Sequence, residues 1–276
     1  MSEEINLEFA GDMVYKTMSP AAFGQLIGSL EVLTRLDDYG PQGILVGTSR
    51  ARRSKLPKKF HDLLDSKEAV VVLQGVHICG SLLILSARNS RWAQITGAAL
   101  SLVSNRLFEY RNPFGRDGAD QMSGIIWTYR ILTACVPNQG RSDDLFLRAV
   151  NLQAATSYVA AGAAKAISST WLSGRALEKI VSTEIYGNTV FSRMIKKYPL
   201  LGKILSWSTI VWEAGFPVVY VLPPEGRTVA LSLVKAFHAG VAATMGLPRF
   251  FWGFSSAHGA VEYVADSEQR RVAGEN

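Results

Sequence analysis

The chain has 276 residues, 48% apolar and 19% charged, with 29 lysines and arginines against 23 acids and a net charge of +6. Cys79 and Cys135 both lie in apolar blocks, which argues against a disulfide scaffold or a CxxC metal site. The acid-bearing segment Met1–Lys16 lacks the apolar core of a cleavable signal peptide.

A mean hydropathy of +0.12 conceals strong segregation. Charge gathers in residues 1–16, 50–68, 106–120, 141–148, 175–203 and the last dozen, with apolar blocks between. That pattern predicts an all-α fold, a polytopic membrane helical bundle of five or six helices. A soluble helical bundle is the alternative, because several blocks are alanine-rich and shorter than a usual span. The expected organisation is an N-terminal polar segment over 1–18, a helical membrane domain over 19–264 and a charged tail over 265–276.

In chain order, Ser19-Pro20 reads as a helix start, a capping serine followed by proline at the first helical position. The helix continues through Leu36 until Gly40, Pro41 and Gly43 break it. Arg50–Lys59 holds six basic residues and no acid. Between apolar segments it reads as a cytoplasmic loop drawn to anionic lipid, and no nucleic-acid-binding motif accompanies it.

Ala69–Ala87 carries no formal charge and measures about 28 Å as a helix, the best single span. Gln74, His77 and Ser81 fall on one side, which is expected to face protein. Trp92–Asn105 contains Gly97, Ala98 and Ala99, suited to close helix contact. Asp117, Asp120 and Gln121 follow a glycine turn at Gly115, and a turn plus helix cap accounts for them. Arg130 interrupts Gly124–Val136, a half-buried or re-entrant piece.

Ala149–Ala164 is sixteen residues without charge, bounded by Arg148 and Lys165. A lysine at the edge of an apolar helix loses hydration, which disfavours its ammonium form and makes the amine a base. Its bland alternative is a snorkelling lysine whose head reaches the lipid headgroups. Ile204–Pro224 carries one acid, Glu213, and Ala230–Gly246 includes Lys235 and His238. Phe250–Val264 is aromatic-rich and leads into the charged tail.

Ionisable residues within spans are costly, so Lys165, Glu213, Lys235, His238, His77 and Arg130 are candidate functional residues. Lys165 and Glu213 could equally form a buried ion pair. The sequence has no HExxH, no histidines at i and i+4 and no calcium-loop pattern, so no metal site is expected. Nucleotide-binding and hydrolase signatures are likewise missing. His61 and His258 carry no specific signal.

Several of these motifs together resemble the horizontally transferred transmembrane (HTTM) family, which includes the membrane domain of vitamin K-dependent gamma-carboxylase. Tyr158, Ala161, Gly162, Lys165, Trp171 and Gly174 stand at the spacing of the family's lysine motif. Glu213 before Phe216-Pro217 resembles its acidic helix. Phe237-His238 with Met245-Gly246-Leu247 and Phe250 resembles its Phe-His helix. Asn112-Pro113 with Gly115, Asp117, Gly118, Asp120 and Gln121 resembles its inter-helix loop, and Ser19–Gly43 its opening helix. The likeness runs in order over residues 19–255.

The resemblance implies a catalytic group of Lys165, His238 and Glu213, with Lys165 as the base that deprotonates a vitamin K-type hydroquinone such as menaquinol. In the carboxylase the quinol anion reacts with O₂, and the strong base so formed removes the γ-proton of a peptide glutamate, which captures CO₂. Tyr158, Gly162, Trp171 and Phe237 are the implied quinol- or substrate-binding positions, and Asp117, Asp120 and Gln121 the loop motif. The carboxylase's histidine upstream of the lysine helix has no counterpart, since no histidine lies between His77 and His238.

The length matches that of small bacterial members tied to maturation of, or immunity to, secreted peptides. Two functions follow. One is a quinol-dependent membrane enzyme that modifies a peptide. The other is a non-catalytic membrane partner of a secreted peptide. The implied partners are membrane lipid and a peptide substrate or maturation partner, with no nucleic acid, at the cell membrane. A small transporter, with Glu213, Lys235 and Arg130 along its path, is a third reading.

Overall fold

The computed structural model describes residues 2–51, 55–86, 88–114, 117–184, 186 and 189–273, with side chains from residue 9 onward. The sequence expectations placed on Met1, Arg52, Arg53, Ser54, Ala87, Gly115 and residues 274–276 lie outside the described residues. The fold is all-α, and no strand occurs among the described residues. The chain forms two compact units, Met1–Phe146 and Leu147–Asn276.

The first unit is built on α1 (Ser2–Thr34), α2 (Lys58–Leu64), α3 (Lys67–Ser86), α4 (Arg91–Arg111) and α5 (Gly118–Thr133). The expected helix start at Ser19-Pro20 is not there, because α1 runs straight through Pro20. Proline removes the hydrogen bond to the carbonyl of Lys16. The apolar face on either side of it, Met13, Val14, Met18, Ala21 and Ala22, is buried, and that packing holds the helix continuous.

α3 packs against both α1 and α4. Gln74, His77 and Ser81 are buried on its protein side, as their spacing predicts. Contact with α4 is close because two glycines face each other. A Cβ on Gly80 would stand 2.8 Å from the Gly97 carbonyl, and one on Gly97 would stand 2.6 Å from the Gly80 carbonyl. Ala98 beside them is fully buried.

Arg111 at the end of α4 ties the segment between α1 and α3 to this unit. Fully buried, it donates to the carbonyls of Tyr39 (2.8 Å), Leu45 (3.1 Å) and Asp65 (3.2 Å). The basic segment is partly folded as well. Arg50 pairs with Asp62, and the Asp65 carboxylate accepts the backbone N–H groups of Ser49 and Arg50. Lys55, Lys58 and Lys59 remain exposed.

α6 (Gln139–Ala166) crosses the boundary between the units. The second unit adds α7 (Ser169–Leu172), α8 (Ala176–Ile180), α9 (Val190–Lys197), α10 (Pro199–Ala214), α11 (Pro224–Met245), α12 (Pro248–Ser256) and α13 (His258–Ala273). Two expected spans are interrupted. Residues 204–224 divide into α10 and a 3-10 turn, Phe216–Tyr220, because Pro217 cannot donate to the carbonyl of Glu213 four residues back. Residues 250–264 divide at Ala257 between α12 and α13.

The charged tail expected from residue 265 is helical as far as Ala273. Arg227 pairs with Asp266, Gln269 donates to the Leu222 carbonyl at 2.8 Å, and Arg148 meets Glu268 at 3.3 Å. These bonds dock the end of α13 on α6 and the start of α11. Two helices among the described residues, α3 and α11, are long and apolar enough to cross a membrane, with mean hydropathies of 2.0 and 1.3.

Candidate functional site in the second unit

Tyr158, Gly162 and Lys165 lie at i, i+4 and i+7 of α6 and so share one helix face. Gly162 sets the approach of α10 to that face. A Cβ there would stand 2.8 Å from Ala214 Cα and 2.9 Å from the Glu213 carbonyl carbon. Backbone cannot yield as a flexible side chain would, so glycine is what lets the helices meet. The next turn of α6 then delivers Lys165 to Glu213, and Nζ donates to the carboxylate at 2.6 Å. The Lys165 side chain keeps 20% of its surface and Glu213 keeps 10%, so the pair is largely withdrawn from water. Nζ also lies 5.2 Å from the centre of the Trp171 ring.

The pairing foreseen as the alternative for these two residues is thus the arrangement found. An amine that donates to a carboxylate does not present a free lone pair. Acting as a base would first require its proton to pass to Glu213.

One turn earlier on α6, Tyr158 is buried in an aromatic cluster. Its ring stacks on Phe216 at 4.3 Å between centroids and meets Trp212 edge-on at 5.2 Å. Its hydroxyl lies 3.1 Å from His238 Nε2 on α11. His238 stacks in turn on Phe254 of α12 at 4.9 Å, and Phe237 packs against Trp212 at 5.0 Å. The Phe216-Pro217 element, expected in a helix, reaches Tyr158 from the 3-10 turn.

The hydroxyl and the imidazole share one bond, so either can be the donor. His238 Nδ1 is buried without a hydrogen-bond partner among the described residues. Neutral imidazole has one donor and one acceptor nitrogen, so either tautomer leaves one proton-active position unused inside an aromatic shell.

The structure therefore brings together Lys165, Glu213, Trp171, Tyr158, Gly162, Phe237 and His238. The loop motif stands apart, in the first unit. There Asp117 caps α5, its carboxylate accepting from Ala119 N (2.8 Å) and Asp120 N (3.2 Å), while Asp120 returns a bond to Asp117 N at 3.4 Å. Gln25 also donates to Asp120, and Gln121 is exposed. The local hydrogen bonds of these residues are those of a capping box. Arg130 is buried against Asp143 (2.5 Å) and Gln94 (2.9 Å). Among the described residues no group of three His, Cys, Asp or Glu side chains is placed to hold a metal ion.

Sequence reasoning missed three contributors. Trp212 had a signal, since it adjoins the acid, and Phe254 repeats Phe250 one turn on. His258 carried none, yet it is 1% exposed with both ring nitrogens unpartnered among the described residues. No protein-family model, curated protein or solved structure matches the chain.

Proposed function

We propose that this is a multi-pass membrane protein whose second unit handles protons for a lipophilic quinol, with Lys165 and Glu213 as the proton-accepting pair. The membrane reading draws support from α3 and α11, and from apolar side chains left uncovered on other helices. On α10, Leu200, Ile204, Trp207 and Val211 repeat at helical spacing and stand 69, 55, 41 and 65% exposed. Such a stripe suits hydrocarbon far better than water. Five or six spans would then include the faces of α4, α6 and α10, with the 50–59 segment on the cytoplasmic side.

The single observation that carries the chemistry is the 2.6 Å Lys165–Glu213 bond at the edge of an apolar helix, one turn from the Tyr158–His238 contact. A quinol hydroxyl delivered from lipid could give its proton to this pair once the proton already shared has moved to the carboxylate. The aromatic rings of Tyr158, Trp212, Phe237 and Phe254 would stack a flat quinone ring, and the spare His238 nitrogen would hydrogen-bond its oxygen. The resemblance to the HTTM family implies Lys165 as the base, a menaquinol-type hydroquinone as cofactor and a peptide as the molecule modified.

The completeness of the ion pair favours the second reading, a non-catalytic membrane partner in which Lys165 only fastens α6 to α10. One experiment separates them. The purified protein is extracted with organic solvent and its lipid-soluble molecules are identified by mass spectrometry, for the native chain, Lys165→Ala and Lys165→Arg. The enzyme reading expects a bound naphthoquinone or ubiquinone in the native protein and loss of peptide modification in cells carrying either variant. A quinone-free native protein, with function kept by Lys165→Arg, would establish the fastening role instead.

A further inference from the structure

The first unit holds a polar cavity of about 350 Å³ where α3 gives way to α4 and α5 to α6. Arg88, Arg91 and Arg130 line it, together with Asp12 and Asp143. Counting these described side chains, three positive charges face two negative, so the lining is cationic by one charge. The donors are also in excess. Arg130 spends one nitrogen on Asp143 and another on Gln94, and its Nε is buried without a partner among the described residues. Arg91 donates to the carbonyls of Ala134 (3.1 Å) and Val136 (2.8 Å), which close the end of α5. Its Nε likewise has no partner there. Arg88 shares one carboxylate oxygen of Asp12, at 2.9 Å from Nη2.

We infer that this cavity binds a phosphate group. A guanidinium presents its N–H donors in a planar fork that matches phosphate oxygens, and donors withdrawn from water cost free energy until an acceptor arrives. A tetrahedral oxyanion brings several acceptor atoms at once and neutralises the surplus charge. The cavity lies at the ends of α3, α4, α5 and α6, beside Gly11, Asp12 and Val14 of α1. A lipid headgroup could reach it there if the chain lies in a bilayer, and a free phosphate could reach it from solution.

The test exploits the Arg88–Asp12 pair. Asp12→Asn and Arg88→Gln each break the same salt bridge, so a purely structural role predicts the same change in both. Phosphate binding predicts opposite changes. The probe is inorganic phosphate, titrated into delipidated full-length protein in detergent at constant ionic strength, with binding read as the rise in Tm. Arg88→Gln should weaken phosphate on the order of tenfold, and Asp12→Asn should tighten it several-fold.

A second arm reconstitutes the same three proteins in nanodiscs of phosphatidylglycerol or phosphatidylcholine and measures retained phospholipid by native mass spectrometry. Retention of phospholipid that follows the same order of variants, without a response to inorganic phosphate, makes the ligand a headgroup. A response to inorganic phosphate makes it a free anion. Equal shifts in both variants, or no response in either arm, overturn the inference.

Discussion

In the first unit the deeply buried cations spend their terminal nitrogens on fixed acceptors. Those of Arg111 donate to three backbone carbonyls, and those of Arg130 to Asp143 and Gln94. In the second unit the comparable groups keep proton-active positions in reserve. Lys165 and Glu213 share a proton across 2.6 Å with some solvent exposure, and His238 shows one unpartnered nitrogen among aromatic rings. Buried charge bound to backbone carbonyls fixes a loop, because neither partner can titrate or turn away. Buried charge bound to another titratable side chain can move a proton. The difference lies in what the buried charge is tied to: fixed backbone carbonyls around Arg111 in the first unit, a second titratable side chain at Lys165 in the second.

The largest effect should come from breaking the carbonyl ties at Arg111. Arg111→Met keeps much of the side chain's volume but takes the donors from the carbonyls of Tyr39, Leu45 and Asp65, of which Leu45 keeps a bond from Asn112, at a cost of about 3 kcal/mol. The expected outcome is a sharp fall in Tm together with protease cleavage between residues 36 and 66, the segment it holds. A variant with native Tm and no new cleavage would remove the contrast between the units.

A smaller effect sharpens the comparison from the other side. Gly162→Ala places a Cβ against the backbone at Ala214, which forces α6 and α10 apart and lengthens the Lys165–Glu213 bond. Overpacking of this kind costs about 1–3 kcal/mol. Gly240 on α11 provides the control, because a Cβ there meets nothing within 4 Å. Gly240→Ala should be neutral or stabilise by up to about 1 kcal/mol, since alanine is the better helix former. Acylation of Lys165 by an amine-selective reagent, followed by peptide mass mapping, should accelerate in Gly162→Ala and stay unchanged in Gly240→Ala. Equal acylation rates would mean that the glycine does not govern the pair.

How far the chain could be read in advance depended on the range of the forces involved. The buried side of α3 was legible from Gln74, His77 and Ser81, because helix periodicity is local. The close α3–α4 contact was foreshadowed by Gly97 and Ala98, since small residues leave few other uses. The capping role of Asp117 followed from adjacency alone. Long-range choices were hidden. Nothing near Pro20 in sequence shows that buried methionines and alanines would carry α1 through it. Arg111 is one more arginine in the last turn of a helix until Tyr39, Leu45 and Asp65 close around it. The site itself was half visible. The Lys165–Glu213 ion pair is one of the two arrangements the sequence offers, whereas the aromatic cluster around Tyr158 and His238 is a property of α6, α10, α11 and α12 packed together.

At the surface the two units should behave alike, and acid titration provides the finest test of where their difference ends. The Asp37 carboxyl in the first unit is held below its ordinary range, first by the hydrogen bond from Lys67 and then by that residue's charge. In the second unit Glu268 is lowered by hydrogen bonds from Arg148 and Arg271. A carboxyl lowered on folding stabilises the native state above its unfolded pKa, and the contribution disappears as the pH falls through the folded value. Lys67→Ala should therefore move the Asp37 midpoint up to the ordinary carboxylate range, and Arg148→Ala should raise Glu268 part of the way, since Arg271 remains. Both shifts should shrink with added salt because these carboxyls are exposed. Side-chain carbonyl NMR in detergent micelles reads both midpoints directly. If Glu268 resisted salt while Asp37 did not, its neighbourhood would be drier than its exposure implies, and the reserve of proton-active groups in the second unit would extend out along α13.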